Sequence, residues 1–160
     1  MNTLAFIPAR SGSKGVIDKN IRNLNGIPLL AYSVHIAQLC LKQEIFSDVL
    51  VSTDSIHYLE KIKQTGYTKE YIRPRELAQD ESPTIDAITH AINDYAKKNI
   101  FFDNVMILQP TSPFRCIQDI KKSIQILESN PLTTCVASVF KLSDRHPRRI
   151  KLINKDGFLD

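Results

Sequence analysis

The sequence predicts an α/β fold, a mainly parallel sheet with helices on both faces. Three observations predict it. Short apolar runs with strand character alternate with segments whose apolar residues recur at helical spacing. Connections between successive strands run to about a dozen residues or more, the length a parallel crossover needs. Candidate ligand residues fall where such a sheet collects them, at the carboxyl ends of strands: Ala9-Arg10, Asp54, Arg73 and Gln109.

Taken in order, Leu4-Ala5-Phe6-Ile7 is a short apolar run closed by Pro8, which reads as a buried strand. Pro28 opens a helix to Lys42, with Leu29, Leu30, Val34, Ala37 and Leu41 on one face; proline is tolerated in a first helical turn. Asp48 to Ser52 is a second strand, ending in Thr53-Asp54-Ser55. Ile56 to Gln64 is a second helix closed by Gly66. A short strand at Tyr71-Ile72 leads into Arg73-Pro74-Arg75, where Pro74 holds Arg73 extended. Pro83 to Lys98 is a helix with Ile85, Ile88, Ala91, Ile92 and Tyr95 on one face. Val105 to Leu108 is the next buried strand, with Gln109 at its end. Ile117 to Leu127 is helical, Cys135 to Phe140 is a strand, and Ile150 to Ile153 begins a hairpin through Asn154 to Gly157.

The chain is organised around the stretch from Leu4 to Asn20. After the first strand, Arg10, Lys14 and Lys19 are interleaved with Ser11, Gly12, Ser13 and Gly15. Glycines let backbone N–H groups turn toward a ligand, as anion-binding nests require. Three cations on one loop repel each other unless an anion lies between them, so the loop reads as a polyphosphate site. A solvated basic loop is the alternative. Spacing excludes two familiar phosphate motifs. Lys14 precedes Gly15 with no Ser or Thr after it, unlike a P-loop. Only Gly12 and Gly15 stand where a dinucleotide fingerprint needs three glycines, and the acidic residue about 20 positions on is missing.

Composition bounds the rest. With 160 residues the chain is expected to form one domain with a real core. A net charge of +4 is spread along the sequence, which argues against a nucleic-acid tail and fits a small anionic ligand. Cys40, Cys116 and Cys135 are odd in number and widely separated, as reduced thiols of a cytosolic protein are. No apolar run approaches the roughly 18 residues of a membrane helix, and no signal-peptide pattern opens the chain. A cytoplasmic location is expected. His35, His57, His90 and His146 lack ligand spacing, so no zinc site is expected.

Four blocks carry a family resemblance. Ile7-Pro8-Ala9-Arg10-Ser11-Gly12-Ser13-Lys14-Gly15 with Lys19-Asn20 resembles the signature loop of the acylneuraminate cytidylyltransferases, including the enzymes that activate legionaminic and pseudaminic acids. Val51-Ser52-Thr53-Asp54, Arg73-Pro74-Arg75-Glu76-Leu77 and Leu108-Gln109-Pro110-Thr111-Ser112-Pro113-Phe114-Arg115 continue the match in the family's order. The resemblance implies a Rossmann-like nucleotidyltransferase fold of the nucleotide-diphospho-sugar transferase type. It also implies nucleotidyl transfer, in which a sugar-acid hydroxyl attacks the α-phosphorus of CTP and pyrophosphate leaves.

The same resemblance assigns roles. Arg10, Lys14 and Lys19 neutralise charge developing on the phosphates; Arg10 can fork two oxygens, whereas each Lys is a point charge. Asn20 matches a nucleotide contact, or is a turn residue before the next helix. Arg73 matches an arginine near cytosine, whose O2 and N3 acceptors uracil does not reproduce. Ser82 and Thr84 match polar positions beside the nucleotide, although Ser82-Pro83 equally reads as a helix cap. Gln109 matches the glutamine facing nucleotide and sugar, with Thr111 beside it; Arg115 contacts the ligand or only anchors the loop. The absence of an acidic residue at this turn favours a nine-carbon acid over deoxy-octulosonate. Arg149, within His146-Pro147-Arg148-Arg149, matches a basic residue near the sugar carboxylate, or is a surface charge.

Mg²⁺ (or Mn²⁺) is the expected cofactor, held in the family by two aspartates of the C-terminal portion. Asp54 is a weak candidate ligand here, a helix cap being its other reading. The chain is expected to lack that C-terminal portion and its dimerisation arm, the full-length protein being a homodimer. Its partners are then CTP and the acid sugar, with neither nucleic acid nor membrane. A nucleotide-binding module without efficient catalysis is the runner-up. A nucleic-acid-binding protein has only the net charge behind it, since the aromatics are not interleaved with basic residues.

Overall fold

A computed structural model describes residues 1–139 and 153–157, and divides the chain into two units, Met1–Lys121 and Lys122–Asp160. In the first unit a three-stranded sheet has the order β4-β1-β5, with β1 spanning Thr3–Pro8, β4 Asp48–Ser52 and β5 Asn104–Ile107. Both pairings are parallel: Phe6 lies beside Leu50 on one side and Ile107 on the other. β1 is central, and its first five residues are all buried. A strand covered on both faces reads as a continuous apolar run, which is why Leu4 to Ile7 shows no alternation.

Two helices cover the sheet. α1, Leu29–Lys42, leads from β1 to β4, and α3, Thr84–Ala96, leads from β4 to β5. β4 and β5 flank β1 on opposite sides, so right-handed crossovers place these helices on opposite faces. Leu4, Phe6 and Leu50 pack with Ala87, Ile88 and Ala91 of α3 in one core cluster. Their strand neighbours Ala5, Ile7, Val49 and Val51 point the other way and are equally buried. Ile88→Val removes one methylene from this cluster, at an expected cost of about 0.5–1.5 kcal/mol in denaturant unfolding. A loss near zero would show that the α3 face is loosely packed.

α2, Ile56–Ile62, passes into a 3-10 turn, Lys63–Thr65, and Gly66 ends it in the left-handed region at φ 82°. Between β1 and α1 a two-stranded hairpin pairs β2, Asn23–Leu24, with β3, Ile27–Pro28. Asn25 and Gly26 have φ 51° and 81°, the two-residue Asn-Gly turn that matches strand twist. The Asn25-Gly26 pair is the sequence signal for this hairpin.

Two strand expectations are corrected. Tyr71-Ile72 forms a single parallel bridge, Thr53 to Ile72, instead of a strand. Within the expected strand from Cys135 to Phe140, residues 135–139 adopt no regular structure. β propensity alone does not hold a strand without a ladder partner; Phe140 and residues 150–152 of the expected hairpin lie outside the described residues, while Asn154 to Gly157 do turn, Gly157 N–H donating to Asn154 O. The second unit takes in the later part of α4, Ile117–Ser129, after which Leu132 N–H donates to Asn130 Oδ1 in an Asx turn. No helix among the described residues is long and apolar enough to cross a membrane.

Candidate functional site

All three strands of the sheet run the same way, so their carboxyl ends meet along one edge. The chain leaves β1 toward β4 and later reaches β5 on β1's other side. That reversal makes the end of β1 a topological switch point, where open α/β sheets bind ligands. The loop that follows β1 is the one bearing Arg10, Lys14 and Lys19.

Asp54 fastens this loop. Its Oδ1 accepts from the Ser11 backbone N–H at 2.7 Å and its Oδ2 from the Ser11 hydroxyl at 2.6 Å. Ala9 N–H donates to Ser52 O at 2.9 Å, so the exits of β1 and β4 are stitched side by side. Gly12 then takes φ 67°, a conformation that a β-carbon resists by about 1–2 kcal/mol. Burial pushes the Asp54 carboxyl up, but the Ser11 hydroxyl and amide, with Arg73 nearby, outweigh it and hold the group below its ordinary value. A carboxyl depressed in the folded state stabilises the fold above its unfolded value of about 3.9 and loses that contribution as pH falls through the folded value. Asp54→Asn should therefore flatten the acid limb of stability below about pH 4; an unchanged limb would place the acid sensitivity elsewhere.

Arg10 and Lys14 converge on one carboxylate. Arg10 Nη2 pairs with Asp80 Oδ1, and Lys14 Nζ lies 2.6 Å from Asp80 Oδ2. These two hydrogen bonds hold the Asp80 carboxyl below its usual range. Asp80 is absent from the residues singled out by sequence, because nothing local marks it. The available signal was two loop cations with no carboxylate of their own.

Lys19 begins a 3-10 turn, Lys19–Ile21, with its side chain half-exposed. Asn20 is buried, and its Nδ2 donates to Arg10 O at 3.0 Å, tying that turn back to the loop. Asp18 precedes the turn at φ 51° and accepts from the buried Tyr58 hydroxyl at 3.0 Å. Burial first, then this bond, pushes the Tyr58 hydroxyl far up.

Arg73 is 4% exposed. Its Nε donates to Ser52 Oγ at 3.0 Å, Nη2 to Ser52 O at 2.7 Å and Nη1 to Leu77 O at 3.3 Å. Its fork is thus built into the end of β4, and burial lowers its pKa while Asp54 opposes the fall. Ser82 does not cap α3, whose first residue is Thr84 after Pro83. Its hydroxyl donates to Glu76 O at 3.0 Å and accepts from Gln79 N–H at 3.2 Å, closing the 76–82 loop. Thr84 is half-exposed at the start of α3.

At the end of β5, Gln109 and Thr111 are exposed. Arg115 anchors their turn, donating to Gln109 O at 2.7 Å and to Ser33 Oγ of α1 at 3.2 Å. Arg149 lies outside the described residues. The structure joins Arg10 and Lys14 directly through Asp80, ties Asn20 to Arg10 O, and holds the neighbouring Ser11 on Asp54, whose charge is felt by Arg73 at the end of β4.

Among the described residues no group of three or more His, Cys, Asp or Glu side chains is placed to hold a metal. Asp54 has both carboxylate oxygens engaged by Ser11.

A family profile described as "Cytidylyltransferase" matches residues 4–149. The chain belongs to the cytidylyltransferase family. Its relatives include the CMP-N,N'-diacetyllegionaminic acid synthase of Legionella pneumophila, 37% identical over 126 residues, covering 79% of this chain and 53% of that protein. An N-acylneuraminate cytidylyltransferase of Escherichia coli is 38% identical over 136 residues, covering 85% and 30%. A pseudaminic acid cytidylyltransferase of Campylobacter jejuni is 34% identical over 113 residues, covering 71% and 47%. The chain therefore spans about half, or less, of the length of these curated relatives. The solved structure of a CMP-2-keto-3-deoxy-manno-octonic acid synthetase complexed with CTP shares the fold, with a TM-score of 0.64 at 20% identity over 82% of this chain and 49% of that one. In this chain the loop from Arg10 to Asn20 and the end of β4 lie inside the matched region.

Proposed function

We propose that this chain carries the nucleotide site of a cytidylyltransferase that joins a nine-carbon acid sugar to CMP. The observation that carries the reading is the convergence of Arg10 and Lys14 on a single anion at the switch point of a parallel sheet. In the reaction the sugar hydroxyl attacks the α-phosphorus of CTP. A new oxygen–phosphorus bond forms, the bond to the β-phosphate oxygen breaks, pyrophosphate departs and the hydroxyl proton passes to solvent. The work left to the protein is to hold the reactants in line and balance phosphate charge.

Arg10, Lys14 and Lys19 take the phosphates. Arg73, Ser82 and Thr84 stand on the base side, with Arg73 shaping the pocket through Ser52, since three of its donors are already engaged. Gln109, Thr111 and Arg149 take the sugar. A sialic, legionaminic or pseudaminic acid is the substrate class, in keeping with the names of the relatives. The reading includes Mg²⁺ or Mn²⁺, a homodimeric assembly and a cytoplasmic location.

The test is to incubate the chain with CTP, Mg²⁺ and each of the three acids, following both pyrophosphate and the CMP-sugar. CTP binding with slow, one-to-one formation of both products from one acid is expected. CTP binding with no product from any acid would favour a nucleotide-binding module without catalysis, and absence of CTP binding would contradict the assignment.

A further inference from the structure

Asp80 holds the two loop cations where the proposed function puts phosphate. Its carboxylate offers one oxygen to each, Oδ1 to Arg10 and Oδ2 to Lys14, as two oxygens of one phosphoryl group would. It comes from a different part of the chain, 70 residues from Arg10. It sits on a short loop closed on itself: Gln79 Nε2 donates to Arg75 O at 2.7 Å, and Ser82 bridges Glu76 and Gln79. That loop follows Arg73, which is locked to the end of β4. The carboxylate is thus presented by a self-supporting turn rather than by the phosphate loop. A polyphosphate cannot have full use of Arg10 and Lys14 while Asp80 keeps them, and two like charges at one site repel.

We propose that Asp80 is an internal competitor for the phosphate site, an electrostatic latch that closes on Arg10 and Lys14 when no nucleotide is bound. An incoming triphosphate displaces it, and its return helps to expel pyrophosphate after transfer. This rests on Arg10 and Lys14 being phosphate ligands. It adds that the chain supplies its own anion to hold the site between turnovers.

The experiment is calorimetric titration of the full chain and Asp80→Asn with CTP, inorganic pyrophosphate and cytidine, with Arg10→Ala as reference. Asparagine keeps the shape and removes the charge. The latch predicts that Asp80→Asn binds CTP and pyrophosphate at least fivefold more tightly, binds cytidine unchanged, and loses pyrophosphate more slowly in stopped flow. Affinity unchanged or weakened would overturn it and make Asp80 a residue that positions Arg10 and Lys14. Should Asp80→Asn fail to fold by circular dichroism, Asp80→Ser is read by the same criteria. If Arg10→Ala binds pyrophosphate as well as the unaltered chain does, the phosphate assignment itself falls, an outcome distinct from failure of the latch alone.

Discussion

Arg73→Ala should cost about 3 kcal/mol or more of unfolding free energy, the largest stability effect expected of any polar residue here. The guanidinium is 4% exposed and gives three hydrogen bonds, two of them to Ser52. Truncation leaves the Ser52 hydroxyl and carbonyl and the Leu77 carbonyl without that donor, and opens a cavity beside the last residue of β4. Hydrogen bonds from charged donors are worth about 1.5–3 kcal/mol each, though neighbours in one network do not add. Arg73→Lys should rescue little, because one ammonium cannot reach three acceptors in fork geometry. Urea unfolding of both variants checks this. A loss below about 1 kcal/mol for Arg73→Ala would show that the fork is replaceable by water.

Asp54→Ala should weaken CTP binding by about tenfold or more while the sheet persists. Asp54 makes no direct claim on a phosphate; it acts through Ser11, whose amide and hydroxyl it holds at 2.7 and 2.6 Å. Freed of that clamp, the Gly12 loop samples many conformations, and only a fraction present Arg10 and Lys14 together. Apparent affinity falls by that fraction. Calorimetry with CTP measures the loss, and near-ultraviolet dichroism reports whether the core is intact. Unchanged affinity would mean that the loop is ordered without Asp54.

β1, β4 and β5 and the helices α1 to α3 were legible because each carries a recognisable apolar pattern. Leu4 to Ile7 is continuously apolar because it is central in a parallel sheet, and α3 shows its stripe because one side packs on Leu4 and Phe6. The stretch from Cys135 failed as a strand because pairing depends on a partner no local pattern specifies. In the site, the loop cations were visible at once, being neighbours in sequence. Their carboxylate was not: Asp80 reaches Arg10 across 70 positions, and Asp54 reaches Ser11 across 43. Arg73 was recognised as important by its surroundings in sequence, yet its burial against Ser52 follows from the fold. Ser82 looked like a cap because proline follows it, whereas its hydroxyl is taken by the turn it closes.

The central claim is that Arg10 and Lys14 receive the phosphates of CTP. Its most direct test is calorimetric titration of CTP into the unaltered chain, Arg10→Ala and Lys14→Ala, each paired with a cytidine titration. Loss of a charged hydrogen bond to phosphate, about 1.5–3 kcal/mol, should weaken CTP binding roughly ten- to a hundredfold in each variant and leave cytidine unaffected. CTP affinity unchanged in both variants would contradict the account.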